Sequence, residues 1–182
     1  MRVITGIARG RKLKTLGSLD VRPTTDMVKE AVFSAVQFEI EGSVVLDLFS
    51  GSGQMGIEAL SRGAAYAYFV DSARNSCDIT RENLMATGLQ VNSRVANMDS
   101  LDFLKNAKYT FDLAFLDPPY GMGLIEKALI LLEPKMSNVG KILCEHEVGL
   151  ELPQEIGKLS IKKKYKYGKI EVTMYVTKEA DE

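Results

Sequence analysis

The stretch VVLDLFSGSGQMGIEAL, residues 44–60, decides the fold. Its first six residues form a short apolar run, β-branched at the start, which is typical of a buried parallel strand. Gly51, Gly53 and Gly56 follow, and the closing letters IEAL indicate a helix. A strand, a glycine turn and a helix N-terminus bring backbone N–H groups close to a ligand. The stretch therefore predicts a Rossmann-like α/β fold with a cofactor at this turn, contacted by Phe49 and Ser52.

Asp47 indicates which cofactor the turn suits. It lies within the strand, four residues before Gly51. The glycine spacing alone also matches the dinucleotide pattern, but a carboxylate here would face the pyrophosphate, and like charges in a desolvated site repel strongly. The same carboxylate suits a ligand that carries an ammonium or a sulfonium group. S-adenosylmethionine carries both and has no phosphate, so it is the predicted cofactor.

A second motif, LDPPY at residues 116–120, follows the apolar run 111–116. Pro118 and Pro119 lack a backbone N–H and have a fixed φ, so the motif must be a stiff turn with outward carbonyl oxygens. Asp117 adds a carboxylate and Tyr120 a flat aromatic face. Acceptors beside an aromatic plane suit a planar amino group, such as the exocyclic amine of a nucleobase. These four residues are the predicted catalytic turn.

Asp71 ends the apolar run 66–71, 20 residues after Gly51. An acid at the end of the second strand of such a fold can accept hydrogen bonds from the two ribose hydroxyls of a cofactor. The alternative is that Asp71 caps the following helix. The spacing favours the ribose role.

The two motifs together resemble the class I methyltransferases that modify exocyclic amino groups. Residues 1–30 narrow the resemblance to the RsmD family, the bacterial 16S rRNA (guanine-N2)-methyltransferases, and the similarity runs to about residue 177. Family members begin with a basic hairpin and continue with an Arg-Pro-Thr-x-Asp-Arg-Val segment. The chain departs from this pattern at Met27, where the family usually has Arg. The matching residues are Gly6, Arg9, Gly10, Arg11, Arg22, Pro23, Thr24, Asp26, Val28 and Glu30.

The resemblance implies transfer of a methyl group from S-adenosylmethionine to the N2 amine of a guanine in 16S rRNA, within the small ribosomal subunit or an assembly intermediate. It also implies further cofactor contacts. Thr24 and Thr25 would close over the methionine end, and Asp99, followed by Ser100, would face the adenine amino group. Helix capping is the alternative for the threonines and for Asp99.

Basic residues are concentrated at two places, although the net charge is −1. Residues 1–14 hold five arginines and lysines, residues 158–169 hold six lysines, and neither segment has an acid. Basic stretches on an acidic body indicate a site for a phosphate backbone, whereas the alternative is lysines that discourage strand pairing. The predicted RNA contacts are Arg2, Arg9, Arg11, Lys12, Lys163, Lys164 and Tyr167.

Periodicity gives the order of elements. A helix over 24–38 precedes strands at 44–49, 66–71, 92–96, 111–116 and 139–146, which alternate with helices at 54–62, 73–87, 100–106 and 123–133. This alternation predicts a mostly parallel sheet with helices on both faces, and the end, 159–166 and 170–177, indicates an antiparallel hairpin. The length predicts a single α/β domain over 1–182. The resemblance implies that it is a methyltransferase domain, with a basic hairpin or arm at 1–22, a helix at 23–40 and a catalytic core at 41–182.

Composition excludes several classes of protein. The sequence has no apolar run long enough to span a bilayer, no secretory signal and no cluster of cysteine and histidine with metal-ligand spacing. Its two cysteines fit a reducing cytosol, so we expect a cytoplasmic monomer without a metal. The lone histidine, His146, has no role in either motif and is interpreted as structural.

Four other functions remain open at this point. A DNA adenine-N6 methyltransferase shares the catalytic turn but normally carries a target-recognition domain. A protein glutamine methyltransferase also uses such a turn, usually led by Asn. An NAD-dependent oxidoreductase would explain Asp71 but not Asp47 or the prolines. A non-catalytic RNA-binding module would explain only the basic segments.

Overall fold

The computed structural model describes residues 1–17 and 26–178 of the 182-residue chain. Its strands are β1 Val44–Leu48, β2 Tyr66–Asp71, β3 Ser93–Asn97, β4 Phe111–Leu116, β5 Met136–Glu147, β6 Glu155–Ile156, β7 Leu159–Tyr167 and β8 Ile170–Thr177. Its α-helices are α1 Asp26–Ala35, α2 Gln54–Ser61, α3 Arg74–Thr87, α4 Ser100–Asn106 and α5 Leu124–Leu132. Two short 3-10 turns lie at Gln90–Asn92 and Glu133–Lys135.

All eight strands form one sheet in the order β3-β2-β1-β4-β5-β8-β7-β6. β1 to β5 are parallel, and β8 is inserted antiparallel between β5 and β7. The chain order reverses between β1 and β4, which are neighbours. In sheets of this kind a ligand binds where the order reverses, beyond the carboxyl ends of the strands. The glycine turn after β1 and the catalytic turn after β4 both lie at that point.

Two apolar clusters explain why β1 is apolar apart from Asp47. On one face of the sheet Val45 packs with α1, α2, α3 and the N-terminal arm, while on the other Leu46 and Leu48 pack with α4 and α5. A strand that is covered on both faces has no polar side, so its sequence does not alternate. None of the helices in the described ranges is long and apolar enough to span a membrane.

The predicted elements are confirmed, with boundaries that differ by up to three residues. α1 ends at Ala35 rather than at residue 38, because Gln37 and Phe38 belong to a turn, and its predicted start at 24 lies outside the described residues. β5 begins at Met136 rather than at 139, since it continues through a register shift opposite Phe111–Leu113. The sequence did not predict the two-residue β6.

The N-terminal residues 1–17 form an arm that folds back on itself, with one isolated antiparallel bridge in place of two regular strands. One bridge, Arg2 to Lys12, and the bond from Val3 N to Arg11 O at 2.9 Å hold its two sides together. The buried Glu58 carboxylate of α2 anchors the arm by accepting from the backbone N–H groups of Ile4 and Thr5, at 2.8 and 3.0 Å. The position of the arm is therefore set by its contacts with the helices.

A buried cation stabilises the Glu58 carboxylate. Lys29 Nζ lies 3.7 Å from Glu58 and donates to Arg2 O at 2.6 Å, and Arg62 Nε donates to Glu58 at 2.8 Å. Burial lowers the pKa of Lys29, while the nearby Glu58 charge opposes that shift. The group ties α1, α2 and the arm together with paired charges, which is the arrangement that buried charges require.

Candidate active site

The glycine turn has the backbone conformation expected of a ligand-binding loop. Phe49, directly after β1, has φ 64°, and Gly51 and Gly53 have φ 54° and 76°. A positive φ in a phenylalanine is strained, and such strain is typical of ligand sites. Gly53 is the N-cap of α2 and gives no side-chain cap, so the cap leaves the N–H groups of Gln54 and Met55 to a ligand, while Gly56 N donates to Asp47.

Side chains of α3 and β2 hold this turn in place. Thr80 Oγ1 donates to Gly51 O at 2.9 Å, and Asn83 Nδ2 donates to Ser52 O at 2.9 Å. Asp71 Oδ2 accepts from Gly51 N at 2.9 Å. The turn is thus positioned by side chains that are fixed by their own packing, which is what a preorganised site needs.

Two polar atoms of the turn point to a bound ligand. Within the described residues, three buried side-chain polar atoms have no hydrogen-bond partner, and two of them are Ser50 Oγ and Gln54 Oε1. Buried polar groups are normally satisfied, so a pair of exceptions at one loop indicates a partner that binds there. The sequence analysis did not single out Ser50 or Gln54, since only their burial distinguishes them from surface residues.

Gly56 lets α2 approach the sheet closely. A Cβ atom at this position would lie 2.3 Å from Cε1 and 2.6 Å from Cζ of Phe69. The Phe69 ring is fully buried in β2 and has no room to move. The third glycine of the turn therefore serves helix–sheet packing, as in other Rossmann-like turns.

Replacing Gly56 with alanine should lower the free energy of unfolding by about 1–3 kcal/mol, because the added methyl overpacks a rigid site. For a chain of this size, the melting temperature should then fall by about 3–10 °C. Gly17→Ala is the control, since a Cβ there meets none of the described residues within 4 Å. Equal melting temperatures for the two variants, measured by circular dichroism, would contradict this packing.

Asp47 is the buried acid of the site. Its Oδ2 accepts from Gly56 N at 2.8 Å and its side chain is 4% exposed. Burial raises the pKa of Asp47 to about 8, the bond from Gly56 opposes that shift, and the charge of Asp71 adds to it. A carboxylate in this environment gains from a cationic partner, so the residues present fit the ammonium group of S-adenosylmethionine.

Asp71 lies at the end of β2 beside the glycine turn. Besides Gly51 N, it accepts from Ala73 N at 2.8 Å. The N-cap of α3 is Ala73, so the capping alternative for Asp71 is wrong. Each carboxylate oxygen has more than one lone pair, so ribose contacts are compatible with these bonds. The ribose role stays a prediction.

Asp99 is the N-cap of α4, because its Oδ1 accepts from Asp102 N at 3.0 Å. This bond confirms the capping alternative and leaves the carboxylate exposed beyond β3, next to the buried Ser100. The adenine contact stays a prediction. Thr24 and Thr25 lie outside the described residues.

The catalytic turn stands next to the glycine turn because Leu48 and Leu116 are partners in the β1–β4 pairing. Asp117 is half-buried, Pro118 is buried, and Pro119 and Tyr120 are exposed, Tyr120 by 45%. Burial raises the pKa of the Asp117 carboxyl well above its usual value, and the nearby charges of Glu145 and Asp47 add to the shift. A perturbed acid at the mouth of a cofactor site is a candidate functional group.

Glu145 is a site residue that the sequence analysis missed. It follows Cys144, which is the partner of Leu116 in the β4–β5 pairing, so it lies beside Asp117. Only the register of two strands that are distant in sequence brings these acids together. The single available signal was an acid near the end of an apolar strand, which is too common to be informative.

The arm and one face of β7, the face of Lys163, Tyr165 and Tyr167, lie on the same side of the sheet, whereas Lys164 pairs with Thr173 and points to the opposite face. Arm residues Val3 and Leu13 belong to the apolar cluster of the α1–α3 face, and Tyr165 and Tyr167 of β7 pack against that cluster. Arg2, Arg9, Arg11 and Lys12 are exposed on the arm. On β7, Lys163 Nζ lies 5.0 Å from the Tyr165 ring centroid, and Lys164 lies 3.9 Å from Glu171. Their RNA contacts stay predictions.

Other candidate features lie away from this site. His146 is fully buried, with Nε2 at 2.8 Å from Thr173 Oγ1 and Nδ1 at 2.9 Å from Glu147 O, which fits its interpretation as structural. Cavities of about 300 and 550 Å³ lie at the amino ends of the central strands, near Phe38 and Ile40, and so on the far side from the two turns. Across the two described ranges, no three acids, histidines or cysteines are grouped to hold a metal.

The sheet order, the glycine turn after β1 and the Asp-Pro-Pro-Tyr turn after β4 define a class I S-adenosylmethionine-dependent methyltransferase. Residues 1–176 match the family described as "Conserved hypothetical protein 95". The chain belongs to this family, which is the one that the sequence resembled.

Similar proteins agree with that assignment. The chain is 36% identical over 177 residues to "Ribosomal RNA small subunit methyltransferase D" of Escherichia coli K12, covering 96% of this chain and 89% of that protein. It is 42% identical over 135 residues to the protein of the same name from Haemophilus influenzae, covering 72% and 70%. The solved structure described as "Putative methyltransferase yhhF from Escherichia coli" superposes with a TM-score of 0.87 at 35% identity, covering 97% of both chains.

Proposed function

We propose that the protein transfers a methyl group from S-adenosylmethionine to the exocyclic N2 amine of a guanine in the 16S rRNA of the small ribosomal subunit. The observation that carries this proposal is the adjacency of the two turns. The pairing of Leu48 with Leu116 sets the Asp117 carboxylate and the Pro118 carbonyl beside the cofactor turn. Acceptors for an amine thus stand next to the place of the methyl donor.

The protein has to activate the nucleophile. S-adenosylmethionine supplies a methyl group that its sulfonium has already activated. The N2 lone pair of guanine is delocalised into the ring, so Asp117 and Pro118 would accept its two N–H bonds and favour a tetrahedral nitrogen. The same acceptors would stabilise the positive charge that develops on nitrogen as the N–C bond forms and the sulfur–methyl bond of the donor breaks, which would leave S-adenosylhomocysteine as the second product. The surplus proton then leaves the nitrogen for Asp117 or water.

Tyr120 would hold the base. Its side chain is exposed beside the acceptors, where an aromatic face can stack on a base taken out of its helix. Stacking orients the amine for in-line attack, and such positioning supplies a large part of the rate enhancement.

The choice of rRNA as substrate rests on the relatives and on charge. The relatives from Escherichia coli and Haemophilus influenzae, which carry the name of a small-subunit rRNA methyltransferase, match 96% and 72% of this chain. The basic arm and Lys163 of β7 lie on one side of the sheet, which suits a phosphate backbone. Guanine N2 follows from the family resemblance, since the turn would equally accept adenine N6.

The test is transfer of labelled methyl to unmethylated small ribosomal subunits, naked 16S rRNA and duplex DNA in parallel, with nuclease digestion to identify the product. N2-methylguanine from rRNA or subunits is the expected result. N6-methyladenine in DNA, or no label in any nucleic acid, would overturn the proposal.

Replacing both Arg9 and Arg11 with alanine should weaken rRNA binding and make its salt dependence shallower, because each lost phosphate contact lowers the slope of log K against log salt by about one. Affinity for S-adenosylhomocysteine should not change. Lys127→Ala is the control, since Lys127 is exposed on α5 at the other face of the sheet. An unchanged salt slope in filter-binding experiments would exclude the arm from the RNA interface.

A further inference from the structure

Asn83 of α3 is bonded both to the arm and to the glycine turn. Its side chain is buried, Oδ1 accepts from Lys14 N at 2.8 Å, and Nδ2 donates to Lys14 O at 3.1 Å. The same Nδ2 donates to Ser52 O at 2.9 Å. One amide therefore joins the backbone of the basic arm to the backbone of the cofactor turn.

Two neighbouring contacts reinforce this junction. A Cβ atom on Gly51 would lie 3.7 Å from Leu16 Cδ1, so the end of the arm rests over the glycine turn. Thr80, one helical turn before Asn83, holds Gly51 O but has no bond to the arm. The Lys14 side chain pairs with Glu82 at the surface, 2.5 Å away. Of these groups, the Asn83 side chain alone hydrogen-bonds to both backbones.

We propose that Asn83 is a positioning residue that couples RNA binding on the arm to cofactor binding at the glycine turn. This inference rests on the proposed function insofar as the arm contacts RNA. RNA that orders the arm fixes the Lys14 backbone, and Asn83 then fixes Ser52 O in the conformation that the cofactor requires. The first ligand to bind already carries the conformational-entropy cost of ordering this junction. The second ligand does not have to repeat that cost, so it binds more tightly.

The coupling is reciprocal and has a defined size. Typical couplings between sites change affinity by a factor of about 5–150, and a single shared amide should lie near the lower end. We therefore expect that bound small subunits raise the affinity of the protein for S-adenosylhomocysteine about fivefold. Bound S-adenosylhomocysteine should raise the affinity for the subunits by the same factor.

The first measurement is the affinity for S-adenosylhomocysteine, with and without saturating unmethylated small subunits, in the wild type and in Asn83→Ala and Asn83→Asp. Asn83→Asp keeps the side-chain size and the acceptor for Lys14 N, and loses the donor to Ser52 O and Lys14 O. Both variants should reduce the coupling factor to within about twofold of unity. A purely structural defect would weaken each affinity without changing their ratio.

Two controls isolate the amide. Glu82→Ala removes only the exposed partner of the Lys14 side chain and should keep the full coupling. Thr80→Val removes the hydrogen bond to Gly51 O and leaves the arm intact. It should therefore lower the affinity for the cofactor, while the ratio of affinities with and without subunits stays unchanged. A wild-type coupling factor in both Asn83 variants would overturn the inference, even if methyl transfer to rRNA is observed.

The second measurement needs no RNA. Hydrogen exchange at the Lys14 amide should slow severalfold when S-adenosylhomocysteine binds the wild type. In Asn83→Asp, the exchange rate of this amide should be the same with and without the ligand. The Gly10 amide, bonded to Val3 O at the far end of the arm, is the internal reference. No change at Lys14 in the wild type would overturn the coupling. Failure of the rRNA assay with a clear Lys14 effect would instead overturn only the proposed substrate.

Discussion

Replacing Asp117 with alanine is expected to lower the rate of methyl transfer by about 100- to 1,000-fold, the loss typical of removing one group that stabilises developing charge. The affinity for S-adenosylhomocysteine should stay within about threefold of the wild type, because Asp117 faces the amine rather than the glycine turn. Single-turnover kinetics and calorimetry measure the two quantities separately. Equal loss of both would mean that Asp117 has an architectural role.

Asp117→Asn is the matched variant for the charge. The amide keeps one oxygen that accepts a hydrogen bond from an N–H group, so the rate of methyl transfer should fall less, by about tenfold. Neither variant should unfold more easily, since burial and the charges of Glu145 and Asp47 already disfavour the ionised form. A lower melting temperature in either variant would show that the activity loss includes misfolding.

The pH profile gives an independent test of the Asp117 charge. The folded pKa of this carboxyl is raised, so activity that requires the ionised form is complete above that pKa and is lost as the pH falls through it. The midpoint should lie above about 4, the ordinary value for Asp. Asp117→Asn should lack this acidic limb, and an identical limb in both proteins would assign it to another group.

Asp47→Asn should have the second large effect, with opposite signs for stability and binding. The pKa of Asp47 rises from 3.8 to about 8 on folding, so stability falls progressively as the pH rises between these values, where the unfolded chain releases a proton that folded Asp47 retains. At pH 7 this amounts to at most about 4 kcal/mol. Asparagine still accepts from Gly56 N and carries no charge, so the variant should melt about 5–10 °C higher at pH 7.

The same substitution should lower the affinity for S-adenosylhomocysteine by at least about tenfold, because the ammonium group of the ligand loses its anionic partner. Wild-type stability should fall from pH 5 to pH 8, and that of the variant should fall less. Asp112→Asn is the control. Asp112 also accepts a hydrogen bond from a backbone N–H, that of Val44 at 2.9 Å, but it lies at the amino end of β4, away from the cofactor site. Normal binding by Asp47→Asn would exclude Asp47 from the cofactor site.

The sequence by itself determined the order of elements and the two turns. Glycine and proline act on the backbone of their own neighbourhood, so the turns at 51–56 and 117–120 can be recognised without the fold. The apolar run of β1 likewise predicts a strand that is covered on both faces. Asp47, Asp71 and Asp117 could be assigned to a site because each occurs at a fixed distance from such a turn.

Tertiary structure alone decided which groups surround those residues. Glu145 reaches Asp117 through the β4–β5 register, and Asn83 reaches Ser52 and Lys14 through helix packing, over separations of 31 and 69 residues. Burial of Ser50 and Gln54 depends in the same way on how α2 meets the sheet. These contacts depend on strand register and side-chain packing between distant segments, which local backbone preferences do not encode, so no local pattern in the sequence could reveal them.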